Sequence, residues 1–270
     1  MANIHPGLKK YQLSYKFQEK DVRDHTIHHE NDKLVFKTST GISLKAVPKK
    51  PPAIFTIPIL AHIIDQGSLG ACVANSAFYL ISAQTQRRVS LSRLMLYDLC
   101  RIMDDTPLSQ DGGTTVRTAA RTLKKYGCCS ESVYPYNIST YKFLPPLNAF
   151  KQMNLFKQFA YVFVNQDLNS LKNTLTSIKT PITFGFLVYD SFMSSQVAIT
   201  GIVPMPDTNT EQLQGGHCVT MFGYDDRKQA FYCLNSWGKN WGKSGYFYLP
   251  YEYVTNTTLA GDFCYYRFVY

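Results

Sequence analysis

The 270-residue sequence lacks any apolar run near the roughly 20 residues that cross a bilayer, so membrane insertion through a helix is excluded. Its first ten residues, Met1 to Lys10, lack the basic stretch and apolar core of a secretory signal. The location expected from that is cytoplasmic or particle-associated rather than classically secreted. Internal repeats and low-complexity tracts are also missing, and 45% apolar residues with 17% charged is globular composition. Long basic runs are absent too. The net charge is +9, and residues 1–50 hold ten Lys/Arg against five Asp/Glu, yet no basic run there exceeds two. A solvated leader fits this better than a nucleic-acid or membrane-surface site, so neither partner is expected.

An even cysteine count is likewise missing. The seven, Cys72, Cys100, Cys128, Cys129, Cys218, Cys233 and Cys264, lie mostly in apolar company and read as buried free thiols rather than a disulfide framework. Histidine is scarce where it matters. Of six, only His217 lies beyond residue 62. His25, His28 and His29 have a helical metal-ligand spacing, but no cysteine lies nearby and a solvated stretch is the plainer reading, so no metal or cofactor is expected.

The chain divides at Pro48-Lys49-Lys50-Pro51-Pro52, a stiff extended punctuation. Residues 1–52 are polar and weakly periodic. Residues 53–270 form the body, mainly helical to about 155 and strand-like from about 156. Apolar residues at three- and four-residue steps predict helices over 72–87, 92–103 and 116–126, the last ending at Gly127. β-rich runs fall at 181–188, 218–224 and 229–234, with turns at Gly215-Gly216 and Asp225-Asp226. The expected class is α+β, a helical lobe and a β lobe with a crevice between.

Within that frame Cys72 follows a glycine-bearing turn, Asp65-Gln66-Gly67-Ser68-Leu69-Gly70-Ala71, at the start of an apolar helix. A nucleophilic cysteine must be a thiolate, and a helix N-terminus and a nearby imidazolium both favour that form. His217, in Gly215-Gly216-His217-Cys218, is the available imidazole. Asn235, beside Trp237, can hold the ring. Gln66 and the Cys72 N–H are candidate donors for an oxyanion on an attacked carbonyl.

Gln66-Gly67-Ser68-Leu69-Gly70-Ala71-Cys72 resembles the nucleophile segment of the papain family, and Gly215-Gly216-His217 its histidine segment. Asn235-Ser236-Trp237-Gly238-Lys239-Asn240-Trp241-Gly242-Lys243-Ser244-Gly245-Tyr246 resembles its NSWGxxWGxxGY block and holds both tryptophans of the chain. Asp111-Gly112-Gly113 and Tyr134-Pro135-Tyr136 match further landmarks in order. The resemblance covers roughly residues 53–270. It implies the family's two-lobe fold, with a helical left lobe and a β-barrel right lobe, and hydrolysis of peptide bonds through a Cys72 acyl-enzyme. It also implies that the Gly113 backbone pairs with extended substrate, that Thr114 and Thr115 lie near the second specificity pocket, and that Gly70 and Gly216 line the cleft. Trp237 would shield the Asn235–His217 bond.

Two departures stand out. Leu69 occupies the position of a disulfide cysteine and Val73 that of an aromatic residue, which resembles the bacterial and large-virus branch. The leader is too short for the long helical propeptide of lysosomal relatives, but a brief inhibitory arm across the cleft is open to it. Gly185 is expected beside the second pocket, leaving room for a bulky side chain. The leading expectation is a cathepsin-like thiol endopeptidase, in zymogen form if the leader inhibits, acting on polypeptides as a monomer. The alternatives are a catalytically idle peptide-binding relative and an acyl transferase or ligase.

Overall fold

Cys72, Val73, Ala74, Ala77, Phe78, Leu80 and Ile81 leave no polar stripe except small or amide side chains, so the helix they form has no solvent face. That helix, α1 (Cys72–Gln84), is buried from Cys72 through Ser82 in the computed structural model of the chain. The structure describes all residues except 1–3, 22–23, 25, 28–34, 38–42, 46–49, 59–61, 87–89, 157–158 and 269–270. The metal-spacing triplet His25, His28 and His29 therefore lies outside the described residues. Beside α1 pack α2 (Arg93–Met103) and α3 (Val116–Tyr126). Ser92 caps α2 by accepting from the Met95 N–H, and Thr115 caps α3 by accepting from Thr118. Gly127, at φ +77°, ends α3 in a conformation that side chains resist.

The second lobe is a sheet. Its early strands come from the leader and its edge, β1 (Thr26–Ile27) and β4 (Ile54–Thr56), while β2 (Val35–Lys37) and β3 (Ser43–Lys45) form a separate antiparallel pair. The body contributes β5 (Phe159–Val164), β6 (Ile182–Tyr189), β7 (Leu213–Asp225), β8 (Ala230–Leu234), β9 (Tyr246–Pro250) and β10 (Ala260–Phe268). Their order is β1-β5-β10-β6-β7-β8-β9, with β4 continuing the pairing on β7 from Gly223 to Asp225 where β6 stops at Met221. The helical front, the β-rich rear and the α+β class match the expectation.

Three expectations need correction. The sheet is not closed into a barrel, since β1 and β9 end it without pairing to one another among the described residues. Gly215-Gly216 is not a turn. Both residues lie inside β7, opposite Val188 and Leu187 of β6, because a strand reaching the cleft must approach other backbone closely there. The leader is not a solvated arm. Leu8, Tyr11 and Tyr15 are buried in the core, and β1 adds a parallel strand to β5.

The two lobes meet where α1 lies on the sheet. Ser76 Oγ is 2.5 Å from Thr183 Oγ1 of β6 and 2.7 Å from Thr220 Oγ1 of β7, and Thr220 also donates to the Ser76 carbonyl at 3.1 Å. Removing one partner of a buried hydrogen bond leaves the others unsatisfied at about 1–3 kcal/mol. Ser76→Ala should lower unfolding free energy by about that amount, shifting the urea midpoint with no change in slope.

Candidate active site

The turn before α1 delivers Cys72 to the first helical position, where backbone N–H groups have no partner within the helix. Ala71, the N-cap, supplies no side-chain acceptor, so the first-turn donors are not capped. Gln66 is fully buried and fixed on several sides. Its N–H donates to the Ser236 carbonyl at 2.8 Å, and its own carbonyl accepts from the Tyr136 hydroxyl at 2.9 Å. Ser236 Oγ donates to Gln66 Oε1 at 2.6 Å, which sets the amide's orientation, while Nε2 donates to the Leu69 carbonyl at 3.0 Å. An amide nitrogen carries two hydrogens, so one remains for another acceptor.

His217 sits in β7, fully buried, with Nε2 2.8 Å from Asn235 Oδ1. That oxygen can only accept, and it also receives the Ser236 N–H at 2.8 Å, so Nε2 carries the proton. In the neutral ring Nδ1 is then a bare acceptor, and it has no hydrogen-bond partner. The Trp237 ring lies tilted against the imidazole, centroids 4.9 Å apart. Gln66, Cys72, His217 and Asn235, far apart in the chain, thus share one site. The backbone N–H of Cys218, next to His217, reaches the Cys72 thiol across the seam.

Electrostatics in this state are those of a dry site. Burial pushes the Cys72 thiol up to about 12, against the helix-start and Cys218 N–H groups that favour the thiolate. Burial likewise pushes His217 down to about 4, despite the Asn235 bond. Burial of the covered site thus works against the thiolate–imidazolium pair expected from the sequence.

What covers it is the leader. Ser14 bridges in parallel to Gly216, the Tyr15 N–H donates to the Gly216 carbonyl at 3.0 Å, and the Lys16 N–H donates to the Thr114 carbonyl at 3.3 Å. The segment thus lies between the lobes, tied to each by backbone hydrogen bonds. Ser14 Oγ also donates to the Gly70 carbonyl at 2.8 Å. A Cβ on Gly70 or Gly113 would overlap Ser14, and one on Gly185 or Gly216 would overlap Tyr15, so glycine at these positions opens the channel. Tyr11 stacks on Trp237 at 4.7 Å and 8°, and its hydroxyl donates to the Trp237 carbonyl at 2.9 Å. Tyr15 fills the space beside Gly185, and its hydroxyl donates to Asp262. Asp24 pairs with Arg117 and Asp21 with Arg121 on α3.

Of the residues expected to line the cleft, Gly70, Gly113, Gly216 and Trp237 all meet the leader. The Gly113 N–H donates to the Tyr97 hydroxyl at 3.1 Å, and the leader's backbone bond on this side falls on the Thr114 carbonyl. The Thr114 hydroxyl is held by Asp104 at 2.6 Å and the Thr115 hydroxyl caps α3. Sequence reasoning missed Tyr11, Tyr15 and Asp262. The one available signal was the set of large apolar residues, Leu8, Tyr11 and Tyr15, in an otherwise polar leader.

A thiol at a helix start, against the strand that carries an imidazole with an open nitrogen and close to the Gln66 amide, is equipped to add to carbonyl carbon and release the acyl group to water. The fold and site therefore define a thiol-dependent acyl hydrolase. A family model described as papain family cysteine protease matches residues 57–266, and the chain belongs to that family, as a cysteine peptidase. It is 35% identical over 223 residues to an uncharacterised peptidase C1-like protein of Acanthamoeba polyphaga mimivirus, covering 78% of this chain and 71% of the other. It is 31% identical over 211 residues to digestive cysteine proteinase 1 of Homarus americanus, covering 74% and 62%. The crystal structure of xylellain, a cysteine protease from Xylella fastidiosa, superposes over 97% of both chains with TM-score 0.81 at 29% identity. These similarities place the chain with the bacterial and viral branch of the family. All seven cysteines are free and buried, as expected for a chain with Leu69 beside the nucleophile turn.

With the leader seated, alkylation of Cys72 by iodoacetamide should be slow at pH 7. It should rise about tenfold per pH unit up to pH 9 without a plateau, because a thiol near 12 is still gaining thiolate there. Tyr15→Ala should speed labelling at pH 7 at least tenfold, and mass spectrometry of the seven cysteines reads it directly.

Proposed function

We propose that the chain is a cysteine endopeptidase precursor whose residues 1–52 act as an inhibitory arm. In it Cys72 is the nucleophile, His217 the acid and base, Asn235 the residue that holds the ring, and Gln66 an oxyanion donor. The observation that carries this is the leader's passage between Thr114 and Gly216, with Ser14 against Gly70. A cleft that holds a chain by backbone on both sides is shaped for extended polypeptide, reached from within a chain as readily as from an end.

When the leader leaves and water returns, the desolvation that holds thiol and imidazole neutral is relieved. His217 Nδ1 takes the thiol proton. The Cys72 sulfur then bonds to the substrate carbonyl carbon as the carbonyl π pair moves to oxygen, where the Gln66 amide and the Cys72 N–H receive it. Collapse of that intermediate breaks the C–N bond, and His217 gives its proton to the departing amine. Water, deprotonated by His217, then releases the acyl group and restores the thiol. Trp237 against the imidazole keeps bulk water from the Asn235 bond throughout.

The Tyr15 position supports a preference as well. The space beside Gly185 takes a large side chain, and Asp262 at its end favours one that finishes in a hydrogen-bond donor. Burial holds the Asp262 carboxyl up at about 6 with Tyr15 in place.

In full-length protein, Tyr15→Ala should raise hydrolysis of an internally cleaved peptide at least tenfold over the parent. Adding Gln66→Ala to that variant should cut kcat about 10²–10³-fold, the usual cost of one oxyanion donor. Adding Cys72→Ala should abolish turnover. A Tyr15→Ala chain that binds peptide without cleaving it would leave only the peptide-binding reading. Products joined to an added amine, in preference to water, would instead mark a transferase.

A further inference from the structure

Beneath the turn that carries Gln66 and Cys72 lies an arginine that the chemistry of acyl transfer does not itself require. Arg93, at the start of α2, is 9% exposed. Its Nε and Nη2 donate to Glu131 Oε1 at 3.2 and 2.8 Å, its backbone N–H donates to Glu131 Oε2 at 2.9 Å, and Nη1 donates to Asn75 Oδ1 at 3.1 Å. The guanidinium lies 4.2 Å from the centroid of the Tyr136 ring.

Two arms run from this ion pair to the site. Along the first, Asn75 Nδ2 donates at 2.8 Å to the carbonyl of Ala71, the residue before Cys72, and so ties down the first turn of α1 and its N–H groups. Along the second, Glu131 Oε1 accepts the Tyr136 N–H at 3.1 Å, Arg93 stacks on the Tyr136 ring, and the Tyr136 hydroxyl donates to the Gln66 carbonyl. Both oxyanion donors are thereby anchored to one guanidinium. Stability alone is a poor reason for the arrangement, because a buried pair loses in desolvation much of what it gains in attraction. What a planar fork adds is direction, with several fixed hydrogen bonds from one rigid group.

We infer that Arg93, with Glu131, is a positioning residue that sets where the Cys72 N–H and the Gln66 amide lie relative to each other. The inference rests on the reading of Cys72 and Gln66 given above.

Two probes separate positioning from mere folding, both applied to full-length protein carrying Tyr15→Ala. The thiolate displaces iodide from the methylene carbon of iodoacetamide and builds no charge on a carbonyl. With a peptide aldehyde the thiol proton passes to His217 and the sulfur bonds to the carbonyl carbon, as the carbonyl π pair moves to an oxygen that the two donors must meet. In Arg93→Met the iodoacetamide rate should stay within about twofold of the parent. Aldehyde affinity and kcat should each fall about 10²-fold, the effect of roughly 1 Å of misplacement, with KM changed far less. Arg93→Lys, which keeps the charge without the fork, should recover part of the loss. Tyr136→Phe, which removes only the hydroxyl on Gln66, should cost about tenfold in aldehyde affinity by the same reasoning.

Should Arg93→Met fail to melt cooperatively, Tyr136→Phe and Asn75→Ala decide the question, one for each arm. Unchanged aldehyde affinity in both overturns the inference, as does a parallel loss of alkylation and aldehyde binding in any folded variant. If the Tyr15→Ala parent shows no selective labelling of Cys72, the catalytic reading fails, and the inference fails with it.

Discussion

The seating of α1 on β7 is the constraint from which the rest follows. A helix buried along nearly its whole length can dock only where the sheet presents small groups, and Ser76 meets Thr183 and Thr220 there through hydroxyls rather than bulk. That contact fixes the height of α1 against β7. One turn up, Cys72 then lies against the backbone of Cys218, next to His217. The thiol and imidazole proposed to carry the reaction come from different lobes, so neither lobe alone could hold their separation. Close packing around the seam leaves the pair little freedom to drift.

The same seam explains the glycines. The cleft is narrow because the lobes are clamped below it, and a strand can pass only if the walls approach as bare backbone. Gly70 and Gly113 on the helical side and Gly215 and Gly216 on the sheet side meet that need, and Gly185 opens the adjoining pocket. A channel so built admits extended backbone, with room for one large side chain beside Gly185. The chain's own residues 13–16 satisfy it, with Tyr11 stacked on Trp237 and acidic residues of the leader paired to Arg117 and Arg121.

Covering the site changes its chemistry as well as its access. Sulfur and imidazole are each driven toward the neutral form by loss of water, and the helix-start donors are too few to reverse it. A thiol in that form is a weak nucleophile, which supports the inhibitory arm proposed above.

Much of this was legible in the residues. The helical spacing from Cys72, the Gly127 stop of α3, the single histidine of the rear half and the glycine turn after Gln66 are local signals, each produced by residues close in sequence. They located Gln66, Cys72, His217 and Asn235 because backbone geometry and side-chain chemistry at those positions are dictated by near neighbours. Tertiary structure alone decided that the sheet stays open, that Gly215 and Gly216 belong to a strand, that the leader fills the cleft and that Asp262 meets Tyr15. It also decided that Arg93, Asn75, Glu131 and Tyr136 converge beneath the turn. Each of these depends on segments as much as 247 residues apart being brought within hydrogen-bond reach. No local pattern encodes such a meeting, because it is set by how the two lobes close and how much water that closure removes.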